Sequence, residues 1–124
     1  MTSRSVLVVD DERAVREVVS TALTRAGYRV RAAASAEEAL GLEKTEAVDL
    51  LITDVILPGM NGPDLAREVR RRSPDTRVLF ISGFTGDAAL DPRELNGGRA
   101  FLQKPFGPGA VVARVRELLD PPGA

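Results

Sequence analysis

The sequence predicts one α/β domain built around a parallel sheet, and three observations carry that prediction. Short apolar runs, such as VLVV at 6–9, LLITDV at 50–55 and VLFIS at 78–82, alternate with stretches whose apolar residues recur at helical spacing. Those runs are nearly continuous, as expected of strands covered on both faces. The chain has 124 residues, 44% of them hydrophobic, which suits one domain with an ordinary core, expected to span about residues 5–119 of a single unit covering 1–124.

Val6 to Val9 form the first strand. Ala14, Val15, Val18, Val19, Ala22 and Leu23 then make a one-faced helical stripe, closed by Gly27 in the left-handed conformation. Tyr28, Val30 and Ala32 alternate with Arg29 and Arg31, the pattern of a strand with one wetter face at a sheet edge. Ser35 and Glu38 are spaced as a capping box for a second helix that turns Ala39, Leu40 and Leu42 inward. VDLLITDV, 48–55, is the most hydrophobic strand, and Asp54 is the one charge in its terminal half. In ILPGMNG, Pro58-Gly59 and Asn61-Gly62 supply fixed and positive φ angles before Pro63 starts a third helix. RVLFISG and AFLQ are the fourth and fifth strands. Between them, FTGDAALDPRELNGG has room for about two helical turns at most, given its glycines and Pro92. Val111, Val112, Val115, Leu118 and Leu119 mark the last helix, which Pro121-Pro122 ends ahead of a frayed tail.

Composition narrows the functions. The net charge of -1, from 17 basic and 18 acidic side chains, gives no field that would draw the chain to nucleic acid or an anionic membrane. Without cysteine or histidine there are no disulfides, thiolate metal sites, imidazole triads or histidine phosphoryl carriers. No run approaches the roughly 18 apolar residues of a membrane span, and a soluble, cytoplasmic protein is expected. Arg70, Arg71 and Arg72 are read as complements to the C-terminal dipole of the third helix rather than as a DNA contact.

In an open parallel sheet, ligands bind beyond the carboxyl ends of the strands. There the first strand delivers Asp10 and Asp11, the third Asp54, the fourth Ser82 and Gly83, and the fifth Gln103 and Lys104. Taken singly, each has a bland reading. Asp10 or Asp11 caps a helix, Glu12 is a first-turn acid, Ser82 is a turn residue and Lys104 is a solvated charge. Together, three carboxylates and one lysine leave a formal charge of about -2, which is costly unless a cation joins them. Hard oxygen donors suit Mg²⁺, whose retained waters can be replaced by the anionic oxygens of a phosphoryl group.

VLVVDDE, DLLITDVILPGMNG, LFISG and FLQKPF, in this order and at this spacing, resemble the receiver domain of two-component response regulators from about Val6 to Leu119. The resemblance implies a flavodoxin-like, doubly wound sheet of order 2-1-3-4-5 flanked by five helices. It makes Asp54 the phosphoacceptor and Mg²⁺ the cofactor. Asp11 matches a direct metal ligand, Asp10 an acid acting through metal-bound water, and the backbone carbonyl of Ile56 a third protein ligand beside Asp54. Ser82 matches the hydroxyl that hydrogen-bonds the phosphoryl group, Lys104 the cation that pairs with it, and Phe101 the aromatic switch. The Lys104–Pro105 bond matches one that is cis in the family, although only about 5–6% of X-Pro bonds are cis in general. The donor is a phosphohistidine on a histidine kinase or histidine phosphotransfer protein, and the output is an altered face offered to a protein partner, with no direct nucleic-acid or membrane contact. Such a domain catalyses only its own phosphorylation and dephosphorylation.

Some features depart from the common pattern. Phe101 lacks a tyrosine hydroxyl, FGPG offers the last helix no side-chain cap, and the 84–98 segment resembles receivers attached to hybrid histidine kinases. Ile56 and Phe84 set apolar groups beside the site, so slow loss of phosphate is expected. Among rivals, a haloacid-dehalogenase-like phosphatase requires a second Asp where Glu12 stands, and a dinucleotide-binding module requires a G-x-G-x-x-G that is missing after the first strand. A receiver-fold interaction module that is never phosphorylated would be marked by a lost site residue, and none is lost.

Overall fold

The computed structural model describes residues 4–83 and 100–120. Its strands are β1 (Ser5–Val9), β2 (Arg29–Ala33), β3 (Leu50–Asp54), β4 (Arg77–Ser82) and β5 (Ala100–Gln103). They pair in parallel throughout, in the order β2-β1-β3-β4-β5. The described helices are α1 (Arg13–Arg25), α2 (Ala36–Thr45), α3 (Gly62–Arg72) and α4 (Pro108–Leu119). This is the doubly wound sheet expected from the sequence. The short or irregular helix expected within 84–98 lies outside the described residues.

The step from β1 to β2 runs opposite to those from β2 to β3 and from β3 to β4. Right-handed crossovers therefore put α1 on one face and α2 with α3 on the other. After β5 the chain returns to the first face, where α4 packs beside α1. Two apolar layers result, and successive strand residues supply them alternately. Val6, Val8, Leu50, Ile52, Leu79 and Ile81 face α1 and α4, meeting Val19, Leu23, Val111 and Val115. Leu7, Val9, Leu51, Val78 and Phe80 face α2 and α3, meeting Ala39, Leu65, Ala66 and Val69.

Local signals in the sequence set most boundaries. Gly27, at φ 101°, follows the Ala26 cap of α1 in the left-handed region. Ser35 Oγ accepts the Glu38 N–H at 3.2 Å, while the Glu38 carboxylate accepts from the Ala34 N–H at 3.3 Å, one residue ahead of the usual capping-box donor. Asn61 Oδ1 accepts the Asp64 N–H at 2.9 Å and caps α3. As expected, α4 starts at Pro108 from a Gly107 cap without a side-chain hydrogen bond.

Four local expectations need correction. Helical spacing places Val18 and Ala14 in the buried stripe of α1, but Ala14 is exposed and Val18 is 40% exposed. The inward face is centred instead on Val15, Val19, Ala22, Leu23 and Ala26. In β2, Ala32 is exposed and Ala33 buried; Val30, with Tyr28 just before the strand, joins one layer and Ala33 the other. Arg31 is half-buried, since its guanidinium caps the end of α2 by donating to the carbonyls of Leu42 at 2.9 Å and Glu46 at 2.7 Å. Only Gly59 in the β3–α3 turn has a positive φ, 78°; Gly62 is instead the first residue of α3.

What requires glycine at 62 is close approach, because a Cβ there would run into the backbone carbonyl of Asp54. Gly41, in the exposed interior of α2, has open space around it. Opposite responses to the same substitution are expected in urea denaturation. Gly41→Ala should gain about 0.5–1 kcal/mol from helix propensity, and Gly62→Ala should lose about 1–3 kcal/mol through overpacking. Stabilisation by Gly62→Ala would contradict the close approach.

Candidate functional site

The register of the sheet delivers the site. Val9 pairs with Thr53, Asp54 with Ile81 and Ser82 with Gln103, so Asp10, Asp54, Ser82 and Lys104 all come to the carboxyl-end edge of the three central strands and β5. Asp10, Asp54 and Ser82 are buried, and Lys104 is half-buried. The Lys104 N–H donates to the Ser82 carbonyl at 2.8 Å, which continues the β4–β5 pairing one step past the strands and aims the lysine along the rim.

Lys104 Nζ lies 2.7 Å from Asp54 Oδ2, 2.9 Å from Asp10 Oδ2 and 3.0 Å from Glu12 Oε1. One carboxylate oxygen from each of these three acids falls within 4.8 Å of the others. The remaining oxygens of the two aspartates are held by backbone. Asp54 Oδ1 accepts the Ile56 N–H at 3.0 Å, and Asp10 Oδ1 accepts the Glu12 N–H at 2.8 Å. Asp10 Oδ2 touches Lys104 at ion-pair distance, yet it is buried and has no donor in hydrogen-bonding geometry. It therefore keeps unused acceptor capacity facing the cluster.

Burial pushes the Asp10 carboxyl above its ordinary range, and the nearby Asp54 charge adds to the rise, while the Glu12 N–H and Lys104 oppose it. Burial works against the charge on Lys104, but hydrogen bonds to Asp54 and Glu12 and the close negative charge of Asp10 outweigh it and hold the ammonium well above the usual lysine value. The lysine thus stays a cation while the acids around it crowd one another. The cluster has the hard-oxygen chemistry and the spare buried acceptor that a divalent ion requires.

The structure brings together Asp10, Asp54 and Lys104, with Ser82 on the adjoining strand end. Asp11 is exposed and stands outside the converging group. Glu12, read from the sequence as a first-turn acid, is the N-cap residue of α1 without a side-chain capping bond and turns its carboxylate to Lys104 instead. Its adjacency to Asp10-Asp11 was the available signal, since an acid that does not cap is free to face the rim. Ile56 is 51% exposed beside the site. Phe84, expected next to it, lies outside the described residues. Phe101 pairs in register with Phe80 and packs half-buried on the α2/α3 layer, and the Lys104–Pro105 bond is cis, as the resemblance implied.

The comparisons with known proteins agree with this geometry. The family model of the response regulator receiver domain matches residues 6–116. The sensor kinase CckA of Brucella abortus is 40% identical over 95% of this chain and 13% of its own length. The transcriptional regulatory protein YvrH of Bacillus subtilis is 36% identical over 96% of this chain and 50% of its own. The chain therefore spans half or less of these curated relatives. Among solved structures, the chemotaxis protein CheY4 of Vibrio cholerae superposes with a TM-score of 0.85 at 32% identity, over 95% of this chain and all of that one. With acids and lysine on one strand-end rim of a 2-1-3-4-5 sheet and the family model matched along nearly its whole length, this chain belongs to the receiver domains of two-component response regulators.

Proposed function

We propose that this chain is a phosphoacceptor receiver that takes a phosphoryl group onto Asp54 with Mg²⁺ and changes the face it presents to a protein partner. The observation that carries the reading is the convergence of Asp10, Glu12 and Asp54 on Lys104. Asp54 is the nucleophile. The Ile56 N–H fixes one carboxylate oxygen, so the other, now on Lys104, is the one that turns to phosphorus. An in-line attack forms the O–P bond as the N–P bond of a phosphohistidine breaks, and the imidazole leaves with the bonding electron pair. The donor is a histidine kinase or histidine phosphotransfer protein, because this chain has no histidine of its own.

The residues that would hold the ion are Asp10 and Asp54, which already converge with Glu12, together with Asp11 and the backbone carbonyl of Ile56, the two further ligands that the resemblance implies. When bound, Mg²⁺ supplies charge neutralisation at the phosphoryl oxygens. Lys104 exchanges its carboxylates for a phosphoryl oxygen, and the Ser82 hydroxyl donates to another. The movement of Ser82 makes room for Phe101 to turn inward, and without a hydroxyl that switch works through packing alone. The chain acts on no substrate other than its own aspartyl phosphate. Among the described residues, no helix is long and apolar enough to cross a membrane, and the proposed location is the cytoplasm.

Three outcomes are expected. Incubated with acetyl phosphate and Mg²⁺, the protein gains the mass of one phosphoryl group and Asp54→Asn gains none; an unmodified wild type would leave a receiver-fold interaction module. The second concerns Asp10. A carboxyl whose folded pKa is raised adds stability below its unfolded pKa, near 3.9, and loses it as pH rises through the folded value. Ionised Asp10 is thus a net cost at neutral pH. Without divalent ions, Asp10→Asn should raise Tm by roughly 2–5 °C at neutral pH and by less toward acid, and a lowered neutral Tm would count against the charge argument. Third, Ile56→Asn should shorten the lifetime of the phosphorylated form several-fold, followed by loss of the labelled species after the donor is removed.

A further inference from the structure

The loop between β1 and α1 carries two of the three converging acids, so whatever fixes its backbone fixes the cluster. Asp10 is tied at three points. Its N–H donates to the Ala33 carbonyl at 3.2 Å, its Oδ1 accepts the Glu12 N–H at 2.8 Å, and its carbonyl accepts from Arg16 Nη1 at 2.8 Å. The first two ties use backbone donors, and the third is supplied by a side chain.

Arg16 is in an unfavourable place for a cation. It lies in the first turn and a half of α1, where the helix N-terminus is already positive. It forms no ion pair with any carboxylate among the described residues, although three acids crowd nearby. Its half-buried guanidinium bends back over the start of its own helix to reach the carbonyl of Asp10, six residues earlier. By bonding the carbonyl rather than the carboxylate, it holds the loop while leaving Asp10 Oδ2 open toward Lys104 and the rim.

We infer that Arg16 is a positioning residue of the cation site: its bond to the Asp10 carbonyl holds the β1–α1 loop so that Asp10 and Glu12 face Asp54. This rests on the proposed reading of the acidic rim as a Mg²⁺ site. It is separable from simple electrostatics because the two effects have opposite signs. Removing a positive charge beside an acidic cluster tightens divalent binding, whereas loosening the loop weakens it. Arg13 is the matched control. It is the first residue of the same helix, its side chain is 83% exposed, and its guanidinium pairs with Glu17 at 2.8 Å rather than with a loop carbonyl.

The experiment is calorimetric titration of the intact protein with Mg²⁺ alone, with circular dichroism to confirm the fold of each variant. Arg16→Met should weaken Mg²⁺ binding about tenfold or more, in the range seen when supports of metal ligands are removed, and the milder Arg16→Gln should follow it. Arg13→Met should leave binding unchanged or slightly tighter. Hydrogen exchange gives a second readout that global stability does not mimic: the Glu12 amide should exchange faster in Arg16→Met under conditions where the sheet amides do not. Equal or tighter Mg²⁺ binding by folded Arg16 variants, or equal weakening by Arg13→Met, overturns the inference and leaves the proposed function standing. A wild type that binds no Mg²⁺ overturns the reading of the rim itself.

Discussion

Lys104 is surrounded by more negative charge than it can neutralise. One ammonium meets three carboxylates at 2.7–3.0 Å, in a region where two of those acids are buried. A fold does not keep such an arrangement for stability alone, since buried charge clusters with a net imbalance lose more in desolvation and repulsion than they recover in pairing. The imbalance is useful because it is incomplete. On the proposed reading, it leaves a site for added positive charge and a lysine whose partners can be exchanged when a more highly charged anion arrives.

The rest of the molecule makes that imbalance sustainable. The two buried acids come from different strands, and each is held by something rigid: Asp54 by the end of β3 and the Ile56 N–H, Asp10 by the end of β1 and the Glu12 N–H. Two apolar layers, one on each face, clamp the strands that end there. Gly62 belongs to the same support, because only a residue without a Cβ lets α3 begin against the carbonyl of Asp54. The turn that follows the phosphoacceptor candidate is therefore packed directly onto it.

How much of this could be read from the sequence depended on whether the signal was local. Strand ends, helix caps and the parallel sheet were legible because apolar runs and capping spacings are set by neighbours in the chain. The meeting of Asp10, Asp54 and Lys104 was legible because strand ends in a parallel sheet share an edge. What escaped depends on distant contacts. Glu43 is buried in α2 because the Arg72 guanidinium, at 3.3 Å, and the Ser73 hydroxyl, at 3.2 Å, reach it from the end of α3. Val18 looked like a core residue by spacing, and its exposure follows from how α1 is rotated against the sheet. The preference of Lys104 for Glu12 over Asp11 depends on the side-chain directions at the start of α1, which spacing does not encode.

The edge strand β2 has its own consequence. Arg29 reaches Glu46 at 3.1 Å, and Arg31 is spent on the end of α2, so the open margin of the sheet is lined by long charged side chains already committed to their own molecule. A neighbouring chain seeking to add a strand there would have to break these ties and bury their charges. At high protein concentration, the same two arginines would act as guards against cross-chain sheet growth and aggregation.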